Sequence, residues 1–150
     1  VYGFQLGLDW QIDDRFVLRN QFNWQKGEEE DQDGNVGPSR HAAPLFGISR
    51  LSFEQKQLRL ELNVQYSGAV QADDLNFEEQ GKAHIYQVNA AGEVFSPAWY
   101  TLNFKSSYQI DKTWSINAGV ENITDQRYRP YSSGLVAAGR NFVMGVKAEF

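Results

Sequence analysis

Strict alternation of apolar and polar residues constrains this chain more than any other feature of its sequence. Residues 58–67 show it without exception: every odd position is polar or charged, and the even positions are Leu58, Leu60, Leu62, Val64 and Tyr66. Successive side chains on a β-strand point to opposite faces, so this segment would have one apolar face and one polar face. The pattern therefore predicts a strand, because an amphipathic helix repeats its apolar residues at intervals of about 3.6.

The same alternation recurs along the chain and predicts seven long strands. They span residues 2–12, 16–25, 44–53, 58–67, 100–110, 114–121 and 140–150. The third is the least regular, since its apolar residues fall on both faces. In the other six, even-numbered residues should share the apolar face, so we expect arginine to be costly at Leu62 and tolerated at Asn63.

The connections between these strands alternate between short and long. Turns of two to four residues should follow strands one, three and five, whereas long polar loops, 26–43, 68–97 and 122–139, should follow strands two, four and six. A small hairpin is predicted within the second loop, where residues 85–88 and 93–95 flank a turn. Outer-membrane barrels combine short periplasmic turns with long extracellular loops. The expected fold class is all-β: an antiparallel up-and-down meander that forms a segment of a transmembrane β-barrel.

Composition narrows the function classes. The 150 residues suit one domain, the net charge of −5 argues against nucleic-acid binding, and the absence of cysteine excludes disulfides and thiolate metal sites. Aromatic residues, 14% of the chain, cluster near strand ends as in membrane-interface girdles. Two alternatives stay open at this point: a small standalone outer-membrane barrel and a soluble lipocalin-like binding protein. The chain opens at Val1 inside a strand without a signal peptide, so we expect its true N-terminus to lie upstream.

Motifs near the end of the chain carry a family resemblance. Residues 120–134 read VENITDQRYRPYSSG, residues 139–142 read GRNF, and the chain ends on Phe150. This combination resembles the C-terminal end of TonB-dependent outer-membrane receptors. Residues 96–105, SPAWYTLNFK, resemble receptors of this family from Bacteroidetes-type bacteria. Within the first motif, Asn122 and Asp125 should bond to nearby backbone and begin a turn.

The resemblance implies a function and a set of partners. Receptors of this family have barrels of about 22 strands with an N-terminal plug, so residues 1–150 should be the C-terminal portion, with the plug and the earlier strands absent. The implied function is an outer-membrane receptor for active uptake of a scarce nutrient such as a ferric siderophore, energised through TonB. The implied partners are outer-membrane lipid, the remaining barrel strands, the plug, TonB and the small ligand. The resemblance implies neither an enzyme nor a cofactor.

Candidate ligand-binding residues lie in the last long loop. Arg127, Arg129 and Tyr131 form a basic and aromatic cluster there, and guanidinium and phenol groups suit the anionic iron chelates that receptors of this family bind. The alternative is that these side chains serve loop packing and lipid-headgroup contact. No arrangement of residues marks a catalytic site.

Metal sites find little support in the sequence. Residues 31–35, DQDGN, resemble the start of a calcium loop, but position twelve of that loop is Ala42 where a bidentate glutamate is needed. His41 and His84 fall in long loops, where a lone histidine is more often solvated than a ligand to haem or metal. We therefore expect no resident metal.

Overall fold

A computed structural model shows the chain as an antiparallel sheet and describes residues 1–31, 33–40, 42–43 and 45–150. His41, and Pro44 at the predicted start of strand three, lie outside the described residues. The strands are β1 (Tyr2–Gln11), β2 (Phe16–Lys26), β3 (Glu28–Glu30), β4 (Val36–Pro38), β5 (Leu45–Gln55), β6 (Leu58–Ser67), β7 (Gln87–Val88), β8 (Val94–Phe95), β9 (Trp99–Gln109), β10 (Trp114–Glu121) and β11 (Asn141–Ala148). Seven of them form the main sheet in the order β1-β2-β5-β6-β9-β10-β11, each antiparallel to its neighbours. The predicted meander of seven long strands is confirmed.

The short and long connections lie at opposite ends of the sheet, as the sequence predicted. The long ones are loop one (residues 27–44), loop two (68–98) and loop three (122–140). In two of the short turns, an aspartate side chain accepts two backbone amides. Asp13 Oδ1 accepts hydrogen bonds from the backbone amides of Arg15 and Phe16, at 2.7 and 2.8 Å. Asp111 Oδ1 accepts two amides in the same way after β9. The aspartates thus add side-chain hydrogen bonds to turns that the backbone also closes, from the Ile12 amide to the Phe16 carbonyl and from the Ile110 amide to the Trp114 carbonyl, each at 2.9 Å.

The two faces of the sheet reverse the usual relation between polarity and burial. Leu62 on β6 is 42% exposed, whereas its neighbour Asn63 is 3% exposed. The buried polar residues of the main sheet share this polar face and are Ser52, Asn63, Ser67, Thr101, Asn103 and Ser115. The only buried apolar side chains in the described ranges, Val70 and Leu75, belong to loop two. A soluble sheet buries its apolar face, so this one is built to face a hydrocarbon environment.

Strand β5 has the reversed parity: its odd-numbered residues, and not its even-numbered ones, lie on the apolar face of the sheet. Its register places Leu51 opposite Leu18 of β2 and Leu62 of β6, so the odd-numbered residues of β5 share the apolar face. Phe46, Ile48 and Arg50 consequently lie on the polar face. The strand shows apolar residues on both sides because Leu51 and Phe53 lie on the apolar face whereas Phe46 and Ile48 lie on the polar face.

The loops contain more structure than their polar sequences suggested. In loop one, β3 pairs with β4 in a hairpin that the sequence analysis treated as a solvated loop. In loop two, β7 pairs with β8, which confirms the predicted hairpin over a shorter length. Loop two also holds a 3₁₀ turn (Ala72–Asp74) and the four-residue helix α1 (Phe77–Gln80). Within the described ranges, no helix has the length and apolarity needed to cross a membrane.

Candidate functional site

Asn122 closes the base of loop three. Its backbone N–H donates to Asn103 Oδ1 on the neighbouring strand at 2.8 Å, and its side-chain Nδ2 donates to the carbonyls of Gln126 and Ala138 at 2.9 and 3.1 Å. Its φ of 49° places it in the left-handed region, which asparagine tolerates better than most residues. The side chain therefore joins the beginning of loop three to its end.

Asp125 ties loop three to the last strand. Its Oδ1 accepts a hydrogen bond from the Arg140 backbone N–H at 2.7 Å, and the Arg140 side-chain Nε donates to the carbonyl of Ile123 at 2.9 Å. A Cβ added at Gly139 would lie 2.7 Å from the same Asp125 oxygen, so this approach requires glycine. The bonds between Asn122 and Gln126 confirm the predicted turn role of Asn122. The side chain of Asp125 bonds instead to the backbone 15 positions later, which explains why the two C-terminal motifs occur together.

Loops two and three border a cleft of about 330 Å³, which we call the arginine cleft. Arg127 and Arg129 come from loop three and His84 and Tyr86 from loop two. The full lining is His84, Ile85, Tyr86, Gln87, Ser96, Pro97, Arg127, Tyr128, Arg129 and Val136. The ring of Tyr128 packs against that of Trp99 with centroids 4.2 Å apart, which fixes this wall to the start of β9.

The arginine cleft carries the positive charge of two guanidinium groups. Arg129 Nη1 donates to the carbonyl of Gly134 at 3.0 Å, which orients the guanidinium and leaves other N–H groups to donate elsewhere. Neither Arg127 nor Arg129 belongs to an ion pair of the part of the chain that the structure describes. Guanidinium groups bind carboxylates and other planar anions through paired hydrogen bonds, so this cleft can receive an anion.

Tyr131, the third predicted residue, lies apart from the two arginines. It lines a second cavity of about 590 Å³ on the polar face of the sheet, with Phe46, Arg50 and Trp99 among the other lining residues. The structure therefore brings Arg127 and Arg129 together and places Tyr131 on a neighbouring surface. Arg50 and Phe46 reach this cavity because of the reversed parity of β5, which the sequence analysis did not resolve.

Three phenols beside these cavities have a pKa raised by their surroundings. Burial raises the pKa of Tyr86, Tyr128 and Tyr131 above the ordinary tyrosine value. The carboxylate of Glu79 raises the pKa of Tyr86 further. Each hydroxyl consequently keeps its proton and can donate a hydrogen bond.

Glu79 and Asn76 join the three loops in a group that we call the loop hub. Glu79, on α1, accepts hydrogen bonds from Tyr86 at 2.5 Å and from Ser132 of loop three at 3.2 Å. Asn76 Nδ2 donates to Glu29 Oε1 and to the carbonyl of Pro38, both in loop one, at 2.8 Å each. Three segments distant in sequence therefore meet at one short helix.

His84, weighed as a metal or haem ligand, lines the arginine cleft, whereas His41 lies outside the described residues. The sequence predicted residues 85–88 only as a strand, and no local pattern indicated that Tyr86 would join His84 there. In the ranges that the structure describes, no group of three histidine, cysteine or carboxylate residues could hold a metal ion. Asp31 instead stabilises the hairpin of loop one: its Oδ1 accepts the backbone amides of Asp33 and Asn35 at 2.9 and 2.8 Å.

Comparison with known proteins identifies a protein family whose model matches most of this chain. Residues 1–123 match the family model described as TonB dependent receptor-like, beta-barrel. That match covers six of the seven main-sheet strands, from β1 to β10, and most of the chain.

Solved structures show the same fold at low sequence identity. The copper transporter OprC matches with a TM-score of 0.77 and 17% identity, over 99% of this chain and 22% of that one. The ferric enterobactin receptor PfeA of Pseudomonas aeruginosa matches with a TM-score of 0.73 and 18% identity, over 99% and 22%. The siderophore receptor PiuA of Acinetobacter baumannii gives 0.62 and 18%, over 97% and 21%. The chain thus spans about a fifth of the length of these solved structures.

Proposed function

The chain belongs to the TonB-dependent receptor β-barrel family, and we propose on that premise that it is the C-terminal portion of a receptor that actively imports a scarce nutrient. Proteins of this family sit in the bacterial outer membrane. The proposal assigns residues 1–150 to the last third of a barrel whose plug and earlier strands are supplied by further sequence. TonB would act through that further sequence.

The reversed burial of the sheet is the observation that carries this proposal. Leu62 faces outward and is 42% exposed, whereas Asn63 and Asn103 are buried on the polar face and joined by a hydrogen bond of 2.9 Å. An apolar outer face meets lipid, and a polar inner face suits a lumen that holds water, a plug or a ligand. The soluble lipocalin-like alternative is not favoured, because it would have to bury this apolar face.

We propose an anionic iron chelate such as a ferric siderophore as the ligand. The support is the arginine cleft, in which Arg127 and Arg129 present guanidinium groups beside the neutral phenol of Tyr86 and the imidazole of His84. Tyr131 would contact the ligand from the adjoining cavity. Two of the similar structures are receptors for ferric enterobactin or a siderophore, whereas a third is a copper transporter. A relationship to the receptors of Bacteroidetes-type bacteria remains a proposal that rests on the sequence of residues 96–105 alone.

Uptake by the full-length receptor tests this role. The double variant Arg127→Ala/Arg129→Ala should reduce uptake of radioactive iron supplied as ferric enterobactin and as other ferric siderophores, with the receptor at unchanged surface level. Arg15→Ala is the matched control, since Arg15 is exposed at the opposite end of the sheet and should leave uptake unchanged. Equal uptake by the double variant and the control would assign Arg127 and Arg129 to loop packing.

A further inference from the structure

The Glu79 carboxylate is unusually buried for a residue in a surface loop. Only 1% of the residue is exposed, although α1 is four residues long and lies within a connection. Burying a carboxylate is unfavourable unless hydrogen bonds and an opposite charge replace its water. Its partners therefore indicate what it holds in place.

These partners come from the two loops that border the arginine cleft. Lys82 Nζ, 2.7 Å away, supplies the opposite charge from loop two. The Tyr86 hydroxyl, 2.5 Å away, belongs to a residue that lines the cleft from loop two. The Ser132 hydroxyl, 3.2 Å away, comes from loop three, three positions after Arg129. One carboxylate thus connects the wall that holds Tyr86 to the segment that carries the arginines.

Ser132 itself is held in an uncommon backbone conformation. Its φ is 58°, in the left-handed region that few non-glycine residues occupy without a compensating contact. The hydrogen bond from its hydroxyl to Glu79 is the contact through which loop three meets loop two at this residue.

The loop hub extends the connection to loop one. Asn76, 4% exposed and located at the N-terminus of α1, bonds to Glu29 and to the carbonyl of Pro38. Arg40 of loop one forms an ion pair with Glu78, the residue before Glu79. The helix α1 is thereby fixed on one side to loop one while Glu79 binds loop three on the other.

We propose that Glu79 is the positioning residue of the arginine cleft: it sets the separation of the two walls and makes loops two and three move as one body. Its role in ligand recognition rests on the proposed function, whereas the mechanical role does not. Glu79 does not line the cleft and is not itself expected to touch a ligand.

Distances measured across the cleft test the proposal in the full-length receptor. Spin labels on Ala90→Cys in loop two and Leu135→Cys in loop three report the separation of the loops, and the 150 residues contain no native cysteine. Both positions are exposed and lie outside the cleft lining. The labelled pair without a further substitution is the parent. The same pair is then combined with Glu79→Ala, Ser132→Ala, Glu79→Gln or the control Glu93→Gln. Glu93 lies in the same loop and bonds within its own turn, to Asn89. Heat-dependent migration on a gel confirms that each variant folds.

Glu79→Ala and Ser132→Ala should shift the distance distribution to longer values and broaden it. Glu79→Gln keeps one oxygen, which can accept from Ser132, and its amide NH₂ can donate to the hydroxyl oxygen of Tyr86. It should therefore restore most of the parent distribution, and Glu93→Gln should not change it. If Glu79→Ala and Ser132→Ala both give the parent distribution, Glu79 serves only its own loop and the proposal is wrong. A widened distribution combined with normal uptake by Arg127→Ala/Arg129→Ala would reject the proposed ligand role and leave the positioning role intact.

Discussion

At the scale of single residues, replacing Asn122 with alanine removes three side-chain hydrogen bonds at the base of loop three, two to Gln126 and one to Ala138. It also places alanine at a φ of 49°, where asparagine is better tolerated. We expect a loss of about 2–4 kcal/mol in the free energy of unfolding, because buried backbone groups lose their partners. Chemical denaturation of the full-length receptor in detergent would measure it. Asn117→Ala is the matched control, since Asn117 is exposed on β10, the strand that precedes Asn122. Equal losses in both variants would contradict the role of Asn122.

Acidification should weaken the loop hub through Glu79. Burial raises the pKa of this carboxyl, but hydrogen bonds from Lys82, Tyr86 and Ser132 outweigh that effect and hold the pKa below the ordinary glutamate value. Because the folded pKa is lowered, the stabilisation is present above the ordinary value of about 4.3 and is lost as the pH falls through the folded pKa. The other titratable groups that face this cluster are Lys82, Tyr86, Tyr131, Asp74 and Glu29.

The spin-label distance between positions 90 and 135 provides the measurement. It should remain constant from neutral pH down to the ordinary glutamate range and broaden only below it. In Glu79→Gln this low-pH change should be smaller, because the side chain at position 79 no longer titrates. An equal change in the parent and in Glu79→Gln would contradict the assignment of the effect to Glu79.

Residue roles were predictable where they depend on neighbours in sequence. Asn122 bonds to Gln126, four positions away, so its turn role followed from the motif. Glu79 depends on Ser132, 53 positions away, and no local pattern marks such a pair. For the same reason the sequence suggested Arg127, Arg129 and Tyr131 as one group, and the structure separates Tyr131 from the others.

At the scale of elements, period-two alternation was sufficient to locate the strands, because one face of each is continuously apolar. The alternation did not show which residues of β5 face the apolar side, because the parity reverses there and Phe46 and Ile48 lie on the polar face near Tyr131. The hairpin of β3 and β4 was missed because its residues are polar and glycine-rich, and side-chain bonds such as that of Asn76 to Glu29 hold it in place. Polar contacts of this kind leave no periodic signal in the sequence.

Arginine substitutions on β6 test the orientation of the sheet. Leu62→Arg should cost about 2–4 kcal/mol if the side chain faces lipid near the middle of the bilayer. The sequence alone predicted that Asn63→Arg would be tolerated, but Asn63 is 3% exposed and bonds to both Glu61 and Asn103. Gln65→Arg is therefore the better control, because Gln65 is exposed on the same polar face. Refolding into lipid or detergent would measure both, and similar losses at positions 62 and 65 would contradict the assignment of the faces.

At the scale of the whole molecule, the sheet has two open edges. β1 and β11 each pair with a strand on one side only, and every residue of β1 is exposed. In hydrocarbon, unpaired backbone N–H and C=O groups cost several kcal/mol each, so spanning sheets close into barrels. The solved structures that this chain resembles are about five times as long as the part it matches, which leaves room for the strands that would cover both edges.

The isolated 150-residue chain should therefore fail to form a stable monomer in detergent, whereas the full-length receptor should form one. Amide hydrogen exchange would show where the isolated chain fails. Protection should be highest on β6, the middle strand, which pairs on both sides, and should decline toward β1 and β11 because their outer amides lack partners. In the full-length receptor the same two strands should exchange as slowly as β6. A monodisperse, heat-resistant monomer of the isolated chain, protected equally on all seven strands, would show that the segment closes without further strands and would contradict its assignment as part of a larger barrel.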